Sequence, residues 1–72
     1  MTHAKDQEDH YRDAAETHGP AMQRLAYATE ANPARQADLL QDMHVALWQS
    51  LARFDGRCSL GTWVYRVTHN VA

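Results

Sequence analysis

The sequence predicts an all-α fold, a compact bundle of three to four helices, and three observations lead to this prediction. Helix-forming residues dominate the 72-residue chain. Apolar residues recur at intervals of three and four, which is the spacing of one face of a helix. Helix-breaking residues are concentrated in three short stretches, Gly19-Pro20, Asn32-Pro33 and residues 55–59. Because a chain of this length can hold only one modest core, we expect a single domain.

The first two predicted helices lie on either side of the Gly19-Pro20 pair. The first covers about residues 6–18 and is rich in charge, and residues 1–5 before it are expected to be disordered. Proline is favoured in the first turn of a helix, so Pro20 predicts a second helix over about residues 20–30. The apolar positions of these two segments are Tyr11, Ala14, Ala15, Met22, Leu25 and Ala26.

The longest predicted helix begins at Pro33 and continues to about residue 53. Pro33 again suits the first turn, and one continuous apolar stripe follows it along the helix. A stripe of this length predicts the central helix of the bundle. Its members are Leu40, Met43, Leu47, Leu51 and Phe54.

A last helix is predicted after the turn at Gly56, because Ser59 is a good N-cap and an apolar stripe follows it. That stripe consists of Leu60, Val64, Val67 and Val71. The apolar period is still running where the sequence ends at Ala72, and no glycine closes the helix. We therefore expect the chain to be a piece of a longer protein that is truncated within this helix.

Composition disfavours secreted and membrane proteins. The single cysteine, Cys58, cannot form an internal disulfide, so a reducing cytoplasm fits best. Asp6, Glu8 and Asp9 stand where a signal peptide needs an apolar run, and no apolar stretch approaches the length of a membrane span. These features predict a soluble cytoplasmic protein with no membrane partner.

Neither a catalytic site nor a metal site is predicted. The histidines form no pair three or four residues apart, and no Cys-x-x-Cys motif is present. The sequence also contains no glycine-rich phosphate loop and no Gly-x-Ser-x-Gly motif. We expect no catalytic residues, no cofactor and no bound metal.

The net charge of −2 argues against nucleic acid as a partner, but the charge is unevenly distributed. Residues 1–42 hold most of the acidic side chains. Residues 43–72 contain three arginines, namely Arg53, Arg57 and Arg66, and a single acid, Asp55. The C-terminal part is therefore mildly basic, and a DNA partner stays open.

A strip of side chains lies beside the apolar stripe of the central helix when residues are projected at about 100° each. It contains Gln41, His44 and Trp48, with Asp38 and Asp42 nearby. Tryptophan supplies much of the binding energy of protein interfaces, so this strip predicts a docking edge for another protein. The alternative is that Trp48 completes the core and the acids form a solvated face.

A second strip, on the last helix, contains Trp63, Arg66 and Asn70. An aromatic face can stack on an unpaired base, arginine can contact phosphate, and asparagine can bind a base edge. Together these residue types indicate nucleic acid. Taken singly, each has a structural alternative: Trp63 in the core, Arg66 as a surface charge and Asn70 as a helix-end residue.

Residues 38–72 resemble region 2 of sigma factors of the extracytoplasmic-function (ECF) type, within the sigma-70 family. They combine an Asp-Leu-x-Gln-acid opening, a tryptophan, an Arg-Phe-x-Gly turn and the run Ser-Leu-x-Thr-Trp-x-Tyr-Arg-Val-x-x-Asn, all at the family's spacing. Residues 11–37 are similar more loosely, in their helix lengths and in Pro20.

The resemblance implies a domain that works by binding. It implies docking on the coiled coil of the β′ clamp of the RNA polymerase core, and recognition and melting of the promoter −10 element through capture of its non-template single strand. The implied clamp-binding residues are Asp38, Gln41, Asp42, His44 and Trp48. The implied DNA-binding residues are Phe54, Trp63 and Asn70, around a flipped base, and Arg57, Ser59, Thr62 and Arg66, on the backbone.

The same resemblance leaves a second function open. The chain could be a protein-interaction module that an anti-sigma factor sequesters, with no independent DNA activity in this fragment. Such a partner would cover the same two strips, so the two functions do not exclude each other.

Overall fold

The computed structural model describes residues 6–72, and the expectation for residues 1–5 lies outside this range. Its helices are α1 (Gln7–Thr29), α2 (Pro33–Ser50), a short 3-10 helix (Leu51–Arg53) and α3 (Leu60–Val71). Over the described range the domain is all-helical, with three α-helices. The predicted all-α bundle is confirmed.

Helix α1 is continuous through Pro20, so the predicted division of residues 6–30 into two helices is wrong. Proline lacks the N–H that would bond to the carbonyl four residues earlier, and its ring crowds that turn. The helix continues because both of its halves are held against the same core, by Ala14 before the proline and by Met22 and Ala26 after it. Burial on both sides outweighs one lost hydrogen bond.

Replacing Pro20 with alanine is expected to stabilise the domain by roughly 2 kcal/mol. An interior proline costs a helix about 3 kcal/mol, and its stiffening of the unfolded chain returns up to about 1 kcal/mol. Urea unfolding followed by circular dichroism measures the change. Pro33→Ala is the matched control, because Pro33 occupies the first position of α2, where no N–H is needed. If both variants gained the same stability, the position of the proline within its helix would not be the cause of the gain.

Helix α2 begins as predicted and ends earlier than predicted. Asn32 caps it by accepting hydrogen bonds from two N–H groups of the first turn, and Pro33 follows at the first helical position. The α-helix ends at Ser50, and the chain tightens into the 3-10 helix over the last predicted residues. The apolar stripe is correct: Met43, Leu47 and Leu51 are buried, and Leu40 and Phe54 pack against them.

A turn over residues 54–59 sets the start of α3. Gly56 has φ of 81°, a left-handed conformation that glycine adopts without strain. Ser59 caps α3 by accepting the N–H of Thr62 at 3.1 Å, as predicted. Val64 is buried, and the rest of the predicted stripe, Leu60, Val67 and Val71, packs around the core.

The core lies where all three helices meet, and it is made of residues from each of them. Its buried members are Ala14, Met22, Ala26, Met43, Leu47, Leu51 and Val64. Within residues 6–72 every buried side-chain nitrogen or oxygen has a hydrogen-bond partner. None of the helices in that range combines the length and the hydropathy that a membrane span requires.

Candidate functional site

The side of α2 that points away from the core carries most of the predicted docking residues. Asp38, Gln41 and Asp42 are exposed, and the Trp48 side chain is 40% exposed. Within residues 6–72 neither aspartate forms a salt bridge, so both carboxylates can pair with a partner. Together with Val45 these residues are called the α2 face below.

Val45 lies in the middle of the α2 face and is 48% exposed. Sequence reasoning missed it because the apolar stripe of α2 runs along the opposite side of the helix. Scattered apolar residues are normal on a surface, but Val45 stands three residues from Trp48, and side chains at that spacing are neighbours on a helix. The two therefore form an exposed apolar pair with polar residues around it, which the helical projection of Val45 between Gln41 and Asp42 could have indicated.

His44, the remaining residue of the predicted docking strip, is half-buried and turned toward α1. Its Nδ1 lies 2.8 Å from the hydroxyl oxygen of Tyr11, and Tyr11 also meets the Trp48 ring edge-on at a centroid distance of 5.7 Å. Gln7 donates to the backbone carbonyl of Trp48 at 2.6 Å. The first turns of α1 therefore support the α2 face from behind.

Three rings from three parts of the chain form a row beside α3. His10 meets Phe54 edge-on at 4.9 Å, and Phe54 meets Trp63 edge-on at 5.2 Å. Edge-to-face contacts of this kind are favourable beyond the area that they bury. Phe54 and Trp63 are half-buried and pack against the core. Trp63 is therefore partly a core residue, as the alternative interpretation of its strip had it, and the rest of the residue is open to solvent.

The indole of Trp63 is anchored inward by a buried hydroxyl that sequence reasoning did not single out. Its Nε1 donates to Ser50 Oγ at 3.0 Å, and Ser50 Oγ donates to the Leu47 carbonyl at 2.9 Å. Ser50 is 7% exposed. The polar atom of Trp63 is therefore used inside the protein, and its remaining free surface is carbon ring.

Polar side chains flank Trp63 along the outer side of α3. Thr62, Arg66 and Asn70 are exposed there. Among residues 6–72 Arg66 has no salt-bridge partner, so its guanidinium is free to contact a phosphate. With Phe54 and Trp63 these residues are called the α3 face below.

Two predicted backbone contacts already have partners within the protein. Arg57 Nε lies 3.1 Å from Asp55 Oδ2 in a largely exposed ion pair, which contributes little stability and can be exchanged. Ser59 Oγ accepts the Thr62 N–H and donates to Thr62 Oγ1 at 2.9 Å. The capping role of Ser59 therefore competes with any DNA contact it makes.

A groove of about 130 Å³ lies between α1 and α3, and it contains none of the predicted site residues. Its walls include His18, Met22, Leu25, Tyr65 and His69. Within residues 6–72 no group of three or more histidine, cysteine or acidic side chains is arranged to hold a metal ion.

A family model described as Sigma-70 region 2 matches residues 14–72 of the chain. The matched range begins within α1 and includes all of α2, the turn and α3. No curated protein and no solved structure gives a significant match.

Proposed function

This chain belongs to the sigma-70 region 2 family, and from that premise we propose how its two faces divide the work of the domain. A sigma-70 region 2 domain binds the RNA polymerase core and recognises and melts the promoter −10 element during transcription initiation. It acts by binding and is not an enzyme. In our proposal the α2 face docks on polymerase and the α3 face captures DNA.

The α2 face is proposed to bind the coiled coil of the β′ clamp. The exposed pair of Val45 and Trp48 gives an apolar centre, and polar side chains surround it. An aromatic anchor within a polar rim is the usual arrangement of an interface hot spot. Asp38 and Asp42 are available to pair with basic residues of the clamp, and His44 supports the face through its contact with Tyr11.

The α3 face is proposed to capture the non-template strand around one flipped base. The row of Phe54 and Trp63 supplies the ring surface, and Asn70 supplies an amide for a base edge. Stacking contributes about 1–3 kcal/mol per base, comparable with the few kcal/mol that unstacking costs. Melting is then driven by binding, without nucleotide hydrolysis. The proposed backbone contacts are Arg57, Ser59, Thr62 and Arg66.

The subtype and the inhibitor are further parts of the proposal. The motif spacing over residues 38–72 supports the ECF type, and with it a cytoplasmic location beside the polymerase. We also propose an anti-sigma factor that covers both faces, and the exposed apolar pair of Val45 and Trp48 supports its contact with the α2 face. Its binding there would exclude the clamp.

Selection from a random single-stranded DNA library tests the proposal, with the chain alone and with the chain bound to core polymerase. We expect the chain to bind core polymerase, and we expect the complex to enrich a short single-stranded motif. Duplex DNA of the same sequence should compete poorly for that binding. A chain that binds core and enriches no motif would fit the interaction-module alternative. A chain that binds neither would overturn the assignment of both faces.

Arg66→Gln is expected to weaken single-stranded DNA binding by a similar factor for every sequence. One phosphate contact fewer should lower the slope of log affinity against log salt by about 0.7. Fluorescence anisotropy over a series of salt concentrations measures that slope. Arg24→Gln is the matched control, because Arg24 is exposed on α1 and belongs to neither face. An equal loss in both variants would indicate a general charge effect.

A further inference from the structure

We propose that Ser50 is a positioning residue for base capture, which acts by holding the Trp63 indole in a fixed orientation. This inference rests on the proposed DNA-binding role of the α3 face. Ser50 ends α2 and lies 7% exposed, so it cannot meet DNA itself. Its effect on DNA must therefore pass through Trp63.

The hydrogen bonds around Ser50 have only one possible direction. The Leu47 carbonyl can only accept, so the single hydroxyl hydrogen of Ser50 points to it. The indole Nε1 can only donate, so it points to a free lone pair on the same oxygen. The hydroxyl thus connects Trp63 to the backbone at the end of α2.

A second contact, with the ring of Phe54, also holds the Trp63 ring. Phe54 meets it at an interplanar angle of 67°, and Phe54 is itself met edge-on by His10 at 82°. A hydrogen bond on one side and an aromatic contact on another leave the ring little freedom. A ring that is ordered in advance loses less conformational entropy when a base stacks on it.

The anchor also determines what Trp63 can recognise. With its N–H bonded to Ser50, the ring offers only stacking, which accepts any base. Hydrogen-bonded discrimination is then left to Asn70, the exposed amide of the α3 face. Ser50 therefore contributes to the affinity of base capture through Trp63, and Asn70 contributes its selectivity.

Ser50→Ala is expected to lower affinity for the oligonucleotide enriched by selection roughly fivefold, the effect of one neutral hydrogen bond. Binding to a clamp coiled-coil fragment should be unchanged, which excludes general unfolding. Ser50→Thr, which keeps the hydroxyl, should restore affinity. In proton–nitrogen NMR spectra the Trp63 indole N–H should exchange faster with solvent in the alanine variant, with Trp48→Phe assigning the two indole signals.

Trp63→Phe gives the decisive comparison, because phenylalanine has no N–H for Ser50 to bind. In that background Ser50→Ala should cause no further loss of DNA affinity. If the two substitutions caused additive losses of DNA affinity, Ser50 would be a merely structural residue and the inference would be overturned. Wild-type DNA affinity in the Ser50→Ala variant would also overturn it. A wild-type chain that fails to bind single-stranded DNA would instead overturn the proposed function, and the exchange rate would still test the anchor.

Discussion

Truncation of Trp48 to alanine is expected to weaken binding to a β′ clamp coiled-coil fragment by about 30-fold, the value of a hot spot worth roughly 2 kcal/mol. Trp48 is 40% exposed, and Tyr11 meets its ring edge-on, so the ring is ordered before the partner arrives. Isothermal titration calorimetry with the clamp fragment measures the loss. Single-stranded DNA binding should be unchanged, because Trp48 is on the α2 face.

Two further variants separate docking from folding. Tyr27→Ala removes a comparable exposed ring, 54% exposed on α1 and outside both faces, and should bind the clamp like the wild type. Val45→Lys puts a charge in the middle of the α2 face at a position that the core does not need, and should also weaken the clamp complex. If both Trp48→Ala and Val45→Lys bound normally, the α2 face would not be the docking surface.

Asn70→Ala is expected to abolish most base preference at one position of the captured strand. A specific amide–base pair is worth about 1–3 kcal/mol of discrimination, or roughly 5- to 150-fold. Total affinity should fall less, because the proposed stacking on Trp63 and the proposed phosphate contact of Arg66 are retained. Repeating the library selection with the variant measures the change as a flattened motif.

The control for Asn70 is another exposed helical amide. Gln23→Ala removes a side chain of α1 that donates a hydrogen bond to the nearby Tyr27 hydroxyl, and the selected motif should be retained. An unchanged motif in Asn70→Ala would mean that another residue contacts the base. Loss of clamp binding in the same variant would indicate unfolding and not a change in recognition.

Most of the core could be predicted because helical periodicity reports burial directly. Met43 and Leu47 are fully buried at the positions that the central stripe indicated. The Ser59 cap could be predicted for a similar reason, since its hydrogen bond reaches only three residues along the chain. The break at Gly19-Pro20 was predicted wrongly because local preference carries no information about burial on both sides of the proline.

Contacts between distant segments could not be predicted from periodicity. Tyr11 and His44 are 33 residues apart, and Ser50 and Trp63 are 13 apart. The pattern of one helix identifies its buried side but not which neighbour covers it. Periodicity therefore located the strips of Trp48 and Trp63, and the roles proposed for them depend on family membership.

His10 and Tyr11 are neighbours in sequence, yet each supports a different face of the domain. His10 meets Phe54 of the α3 face, and Tyr11 meets Trp48 of the α2 face. Adjacent positions of α1 thus connect the two faces through the interior of the domain. In the proposed function, with the α2 face on polymerase, the distance to the base captured at the α3 face would be fixed by the packing of the three helices. On that proposal, the interior of the domain holds the promoter strand in register with the polymerase.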